Sequence, residues 1–96
     1  MPRRFSANHT HLYPGALLRS LDAPDAVPRG EDVLVEFSDG VSVTGRWSAA
    51  AVDAFVLRLP PYRTGRGTAI DAKAWRLVPT QDEPGTFRVK ERLPAE

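Results

Sequence analysis

The 96-residue chain contains no cysteine, and this absence excludes several kinds of stabilising and catalytic chemistry. Without thiols there is no disulfide framework, no cysteine-ligated zinc or iron–sulfur site and no cysteine nucleophile. A domain of this size buries only about 60% of the surface that its unfolded chain exposes. Stability must therefore come from side-chain packing, and self-association would add to it.

Long apolar segments are also missing, since no uninterrupted apolar run is longer than residues 49–52. A transmembrane helix needs roughly 20 apolar residues, and the basic N-terminal residues are not followed by the apolar stretch of a signal peptide. We therefore expect a cytoplasmic, prokaryotic protein that makes no membrane contact. The length predicts a single domain over residues 1–96.

The clearest pattern that is present predicts a β-hairpin over residues 32–47. Apolar side chains recur at every second position on both sides of Asp39-Gly40. Asp-Gly tolerates the positive φ angles of a tight turn, and the flanking β-branched and aromatic residues suit a pleated, half-buried surface. Gly45, inside the second predicted strand, indicates a bulge or bend that lets a short sheet curl.

Prolines and glycines divide the rest of the chain into further short segments. Residues 55–59 and 86–93 are predicted strands, and Asp71 is placed to cap one helical turn over residues 72–74. For residues 16–21 the pattern is too short to decide between a helical turn and a strand.

Several short strands separated by turns favour a mainly β fold, a small antiparallel barrel or roll of about five strands with one short helix as an option. We assign the barrel core to residues 31–93. Residues 1–30 are expected to form an irregular segment that packs on this core, with residues 22–30 as a loop.

Residues 33–40, 45–47 and 55–57 resemble the opening three strands of Sm-like and SH3-like barrels. Residues 66–70 resemble the Arg-Gly motif that helps to line an RNA site in Sm-like proteins. The resemblance implies a small barrel, with RNA as one possible ligand and ring assembly by edge-strand pairing as one form of self-association.

A second resemblance covers more of the chain. The Ala-Pro pair at residues 23–24, the hairpin and the Trp-Arg-Leu-Val-Pro segment at residues 75–79 are similar to short phage and prophage proteins of unknown function. This resemblance implies a prophage origin and no particular activity.

The net charge of +1 hides an uneven distribution. Acidic side chains dominate residues 20–56, whereas basic side chains interleaved with aromatic ones dominate residues 57–79. Guanidinium groups beside aromatic faces are what single-stranded nucleic-acid sites use for phosphates and bases. The candidates for binding nucleic acid or a partner are Arg58, Tyr62, Arg63, Arg66, Lys73, Trp75 and Arg76.

The alternative interpretation of this stretch is structural. Trp75 would then belong to the core, and the arginines would form a solvated rim or pair with the acidic hairpin.

His9 and His11 are weak candidates for half of a metal site, because positions i and i+2 of an extended segment share a face. Two ligands are too few, and surface or hydrogen-bonded histidines are the alternative. We predict no metal and no other cofactor.

Acidic residues between positions 22 and 53 offer candidates for an acid/base pair, although Asp at turns usually binds the backbone. They are Asp22, Asp25, Glu31, Asp32, Glu36, Asp39 and Asp53. Gly65-Arg66-Gly67 is a weak phosphate motif that lacks both the third glycine of a dinucleotide site and the Lys-Ser/Thr of a P-loop. We predict that the protein is not an enzyme.

These observations predict a binding module that acts through a protein partner or self-association, helped by exposed strand edges and by the segregation of charge. The alternative is a single-stranded RNA- or DNA-binding protein that uses the basic, aromatic loop.

Overall fold

Strands account for all the regular structure of the residues that the computed structural model describes, which are 3–21, 30–51 and 53–94. The nine strands are β1 (Arg3–Ala7), β2 (Leu17–Ser20), β3 (Glu31–Glu36), β4 (Ser42–Ala51), β5 (Ala54–Leu59), β6 (Tyr62–Arg63), β7 (Ala69–Ile70), β8 (Lys73–Pro79) and β9 (Thr86–Leu93). The prediction of a mainly β fold is confirmed, although about five strands was too low a number.

Seven strands close into a barrel in the order β1-β2-β9-β8-β5-β4-β3, and β6 and β7 form a separate two-stranded sheet. Neighbouring strands in the barrel are antiparallel, except that β1 and β3 run parallel with Phe5 opposite Val35. The predicted small barrel is therefore present, but it is not purely antiparallel.

Closure corrects the expectation of exposed strand edges, because a closed barrel has none along its paired lengths. β2 and the residues before it pair with β9 as far as Val89. Within the described chain, residues 90–93 extend past this pairing and keep one open edge. Lys90, Glu91 and Arg92 occupy that edge and Pro94 follows it, which are features that discourage pairing with another strand.

The N-terminal segment was predicted to be irregular, and for the described part of residues 1–30 this was wrong. β1 and β2 are two of the strands that form the barrel wall, and Phe5, Ala7 and Leu18 are buried in its core. The predicted loop over residues 22–30 lies outside the described residues, apart from Gly30. Short strands such as these carry too few residues for a period of two to be recognised.

The option of a helical turn at residues 72–74 was also wrong. Lys73 and Ala74 begin β8, where they pair with Leu59 and Arg58 of β5. Strand pairing satisfies the backbone here, and this tertiary contact outweighs the weak local capping signal from Asp71.

The predicted hairpin is confirmed as β3 and β4. Val33, Val35 and Trp47 are buried, as the alternation requires. Gly40 alone supplies the positive φ, +89°, and its N–H donates to the Phe37 carbonyl at 3.0 Å, so the turn also includes Ser38. Asp39 keeps a negative φ and contributes through its side chain, which accepts a hydrogen bond from the Val41 N–H at 3.2 Å.

Gly45 does not mark a bulge, because its register with β3 is regular and the irregularity of β4 lies between Ala49 and Ala51. A Cβ at Gly45 would lie 2.7 Å from Leu59 Cδ2 and 3.0 Å from the Arg58 carbonyl oxygen. Glycine is needed at this position because β5 packs closely against it.

An aromatic cluster fills the centre of the barrel. The ring of Trp47 stacks on Phe5 at 4.8 Å and meets Phe87 edge-on at 5.0 Å, and Phe55 meets Phe87 edge-on at 5.6 Å. Trp75 belongs to the same core. Rings contributed by β1, β4, β5, β8 and β9 thus join both sides of the barrel in one packed unit.

Among the described residues there is no helix of the length and apolarity that crossing a bilayer requires.

Candidate functional site

Three carboxylates of the β3–β4 hairpin form ion pairs with arginines of β1 and β4. Arg3 Nε lies 3.2 Å from Glu31 Oε1, Arg4 Nε lies 2.8 Å from Glu36 Oε2, and Arg46 lies 3.5 Å from Asp32. The parallel pairing of β1 with β3 brings the first two pairs together. We call these six residues on β1, β3 and β4 the paired face.

One branch of the structural alternative was that the later arginines pair with the acidic hairpin, and this does not hold for Glu31, Asp32 and Glu36, which pair with Arg3, Arg46 and Arg4 instead. The sequence places Arg3 and Arg4 far from the hairpin along the chain. Only the β1–β3 contact reveals them as the partners.

Cations without an acidic partner are concentrated in the later part of the chain. Of the predicted residues there, Arg76 forms an ion pair, with Glu91 at 2.9 Å. The described cations that make no ion pair are Arg58, Arg63, Arg66, Lys73, Arg88, Lys90 and Arg92.

Three of these cations surround an open groove of about 460 Å³ at the ends of β5, β8 and β9. We call it the basic groove. It is lined by Arg58, Leu59, Asp71, Ala72, Lys73, Ala74, Arg92, Leu93 and Pro94. The lining combines a largely apolar floor with Arg58, Lys73 and Arg92, and Asp71 is the single carboxylate among these lining residues.

Strand register explains how the groove forms. Arg58 lies opposite Ala74, and Ala74 lies opposite Leu93. Residues directly opposite each other in antiparallel strands project from the same face, so these three share the outer face of the barrel. Arg58 is exposed there between the buried Leu57 and Leu59, and the small Ala74 leaves space beside it.

The two aromatic candidates are not displayed as stacking platforms. Trp75 is 4% exposed and belongs to the core. The ring of Tyr62 stacks on Phe37 with centroids 5.1 Å apart, and the Tyr62 hydroxyl donates to the Thr10 carbonyl at 2.9 Å. Both rings thus already have packing partners inside the protein. For Trp75, this agrees with the structural alternative, which assigned it to the core.

Burial raises the pKa of the Tyr62 hydroxyl, and the nearby negative charge of Asp39 raises it further. The folded state thus favours the neutral phenol. This contribution to stability is fully present below the ordinary tyrosine pKa of 10.0 and is lost as pH rises through the raised value.

Arg63 and Arg66 belong to the β6–β7 hairpin, next to the barrel rather than in the groove lining. Arg63 Nη1 donates to the Gly67 carbonyl at 3.0 Å, and the Gly67 N–H donates to the Thr64 carbonyl at 2.9 Å. The Gly65 N–H donates to Asp39 Oδ2 at 2.6 Å. The amides of both glycines are thus engaged inside the protein, which argues against a phosphate cradle at Gly65-Arg66-Gly67.

Asp39 joins the tip of the β3–β4 hairpin to this second hairpin. The hydrogen bond from Gly65 is the main reason that the pKa of Asp39 is lowered, and the bond from Val41 adds to the effect. A structural contact of this kind is what the turn position of Asp39 predicts. Of the other acid/base candidates, Asp22 and Asp25 lie outside the described residues.

The histidines make local contacts. The Tyr13 hydroxyl lies 2.5 Å from His9 Nε2, and the Thr10 hydroxyl lies 3.4 Å from His11 Nδ1. Within residues 3–21, 30–51 and 53–94 there is no group of three or more His, Cys, Asp or Glu side chains arranged to hold a metal ion.

The sequence candidates therefore separate in space. Arg58 and Lys73 meet in the basic groove, whereas Tyr62 and Trp75 are packed inward and Arg76 is paired. Arg92 was missing from the candidates. Its signal was the basic alternation of residues 86–93, but only the pairing of β9 with β8 shows that Arg92 reaches the groove.

No family model and no solved structure matches the chain. Over 69 residues it is 36% identical to nicotinate-nucleotide--dimethylbenzimidazole phosphoribosyltransferase from Corynebacterium glutamicum (strain R). The matching segment covers 72% of this chain but only 19% of that enzyme. The chain is thus similar to a minor part of a much longer protein.

Proposed function

We propose that the protein is a non-catalytic binding module that recognises an acidic region of a protein partner, or of a second copy, through its unpaired cations. The observation that carries this proposal is the contrast in ion pairing between the paired face and the later strands. Arg3, Arg4 and Arg46 are each balanced by a carboxylate of the same barrel. A set of cations left unbalanced on one part of the surface is suited to an anionic partner.

The acidic candidates support a binding role over catalysis. Glu31, Asp32 and Glu36 are held in ion pairs, and Asp39 binds two backbone N–H groups. Each of these carboxylates thus has a structural task, and none of them lines the basic groove.

A second copy is the less favoured partner. Its acidic hairpin is neutralised within the chain, and barrel closure removes most of the edge that strand pairing would use. The proposed setting is prokaryotic and cytoplasmic. A prophage origin and an Sm-like or SH3-like ancestry stay predictions from the sequence resemblance.

Single-stranded nucleic acid is the second candidate, because phosphates would also satisfy Arg58, Lys73 and Arg92. It is less favoured because base stacking contributes about 1–3 kcal/mol per base in such sites, and Tyr62 and Trp75 are already packed. Binding would then depend on phosphate contacts alone.

Fluorescence anisotropy with two labelled probes of equal charge, an oligoglutamate and an oligothymidylate, tests the proposal. We expect the oligoglutamate to bind at low salt and binding to weaken as salt is added. Stronger binding of the oligothymidylate would favour the second candidate. If neither probe bound at low salt, the proposal would be overturned. Light scattering on the same samples reports any self-association.

A further inference from the structure

We infer that the basic groove is the docking site for an acidic linear segment of a protein partner, one that carries an aliphatic side chain between its carboxylates. This inference rests on the proposed function and adds the place and the chemistry of recognition. It depends on three features of the groove, which are its charge, its floor and the position of Arg58.

The charge of the groove is positive and unbalanced. Arg58, Lys73 and Arg92 line it without forming an ion pair to any carboxylate in the part of the chain that the structure describes, and they outnumber Asp71. These cations come from three different strands, so a ligand that spans the groove meets more than one of them. Charge complementarity therefore selects an anionic occupant.

The floor of the groove is apolar. Ala72, Leu93 and Pro94 contribute accessible aliphatic surface, and the buried Leu59 and Ala74 close the floor beneath them. A purely ionic ligand such as a phosphate backbone would leave this surface without a partner. A peptide whose acidic residues alternate with a leucine-like side chain would use both the cations and the floor.

Arg58 adds an independent argument, because it lies directly opposite Arg46 on β4. Like charges facing each other across antiparallel strands destabilise a sheet. Arg46 is balanced by Asp32 on its other side, whereas Arg58 has no acidic partner among the described residues. The charge of Arg58 therefore opposes the pairing of β4 with β5, and an external anion would relieve the repulsion.

The test uses the full chain and two fluorescein-labelled peptides of equal charge, one of alternating glutamate and leucine and one of glutamate and serine. We expect the leucine peptide to bind more tightly. The double variant Arg58→Ala with Arg92→Ala should weaken its binding about tenfold or more, since losing two ion contacts to a peptide typically has an effect of this size.

The matched control is Arg88→Ala with Lys90→Ala, which removes two unpaired cations of β9 that do not line the groove. It should weaken binding by about threefold at most, through the loss of long-range attraction alone. Circular dichroism establishes that each variant is folded.

A second variant tests the floor without changing charge. Ala72→Phe fills the groove from an exposed position that belongs to no strand, and Ala50→Phe places the same ring on β4 outside the groove. Ala72→Phe should weaken binding of the leucine peptide more than binding of the serine peptide. Ala50→Phe should leave the affinity for both peptides unchanged.

If the groove variants and their controls lost the same affinity for the leucine peptide, the docking site would be overturned. The proposed function would stand, because acidic probes would still bind. Equal affinity for the two peptides would overturn the aliphatic requirement. Failure of every acidic probe to bind would overturn the proposed function itself. Tighter binding of oligothymidylate than of either peptide would assign the groove to phosphates instead.

Discussion

The paired face and the basic groove lie on one small barrel, yet their cations differ in whether they form ion pairs. On the paired face, Arg3, Arg4 and Arg46 each have a carboxylate within 3.5 Å. In the groove, Arg58, Lys73 and Arg92 have none within residues 3–21, 30–51 and 53–94, and Arg58 faces another arginine. Both regions rest on the same aromatic core, so the difference does not come from unequal packing.

Charges of the paired face are engaged within the protein, whereas charges of the basic groove are available to a partner. Exposed ion pairs contribute about 0–1 kcal/mol each, so the paired face stabilises the fold only modestly. Its clearer effect is to leave the early strands without a net attraction for anions. The groove keeps that attraction for anions, and the repulsion between Arg58 and the arginine opposite it destabilises the sheet.

The largest expected effect concerns the core that joins the two regions. Phe87→Ala removes a ring that contacts Phe5, Trp47 and Phe55, and it should lower the free energy of unfolding by about 3–5 kcal/mol. Urea unfolding followed by tryptophan fluorescence and by circular dichroism should give coincident transitions. The exposed neighbour Arg88→Ala is the control. Two separate transitions would show that the regions do not share one cooperative core.

A smaller effect should distinguish the two regions directly. Glu36→Lys breaks the pair with Arg4 and places like charges together, so it should lower stability by up to about 1 kcal/mol. Arg58→Glu replaces a repulsion with Arg46 by an attraction and should leave stability unchanged or raise it by about 0.5 kcal/mol. Denaturant midpoints of both variants, measured together at low salt, check the opposite signs.

If Arg58→Glu lost as much stability as Glu36→Lys, Arg58 would be a scaffold residue, and the contrast between the regions would disappear. High salt provides an internal control, because screening should reduce both effects.

The smallest effect is local and concerns the contact between the two hairpins. Asp39 stabilises the fold in its charged form, so its contribution is present above the ordinary carboxyl pKa of 3.8 and is lost as pH falls through the lowered value. Asp39→Ala should mimic this loss at neutral pH. Hydrogen exchange should become faster at the Gly65 amide, which loses its acceptor, while the amides of β5 keep their protection.

An unchanged exchange rate at Gly65 in Asp39→Ala would show that the hydrogen bond does not hold the β6–β7 hairpin in solution. Asp39→Asn, which keeps a neutral acceptor, should give an intermediate rate.

Local chemistry was enough to predict the elements that carry a strong pattern. The β3–β4 hairpin followed from the alternation around Asp39-Gly40, and the last strand, residues 86–93, was predicted with its observed bounds. β1 was missed, and β2 was left undecided between a helical turn and a strand, because four or five residues are too short to show a period and their identity depends on partners elsewhere in the chain.

The candidate site was only partly predictable for the same reason. Arg58 and Lys73 were found from local composition, but so were Tyr62 and Trp75, which are packed inward. Composition reports which side chains are near in sequence and cannot report which way a strand turns them. Arg92 entered the groove through the pairing of β8 with β9.

Local sequence was sufficient to establish strands with tight turns, the absence of thiol chemistry and an early acidic region followed by a basic one. These properties are local, because they depend on single residues and on the period of two. Which charges meet depends on the folded barrel. Barrel closure brings Arg3 and Arg4 to the acidic hairpin and places Arg58, Lys73 and Arg92 around one groove, without an acidic partner among the described residues. Ion pairing depends on distances of a few ångströms between side chains far apart in the chain, and only the folded barrel fixes them.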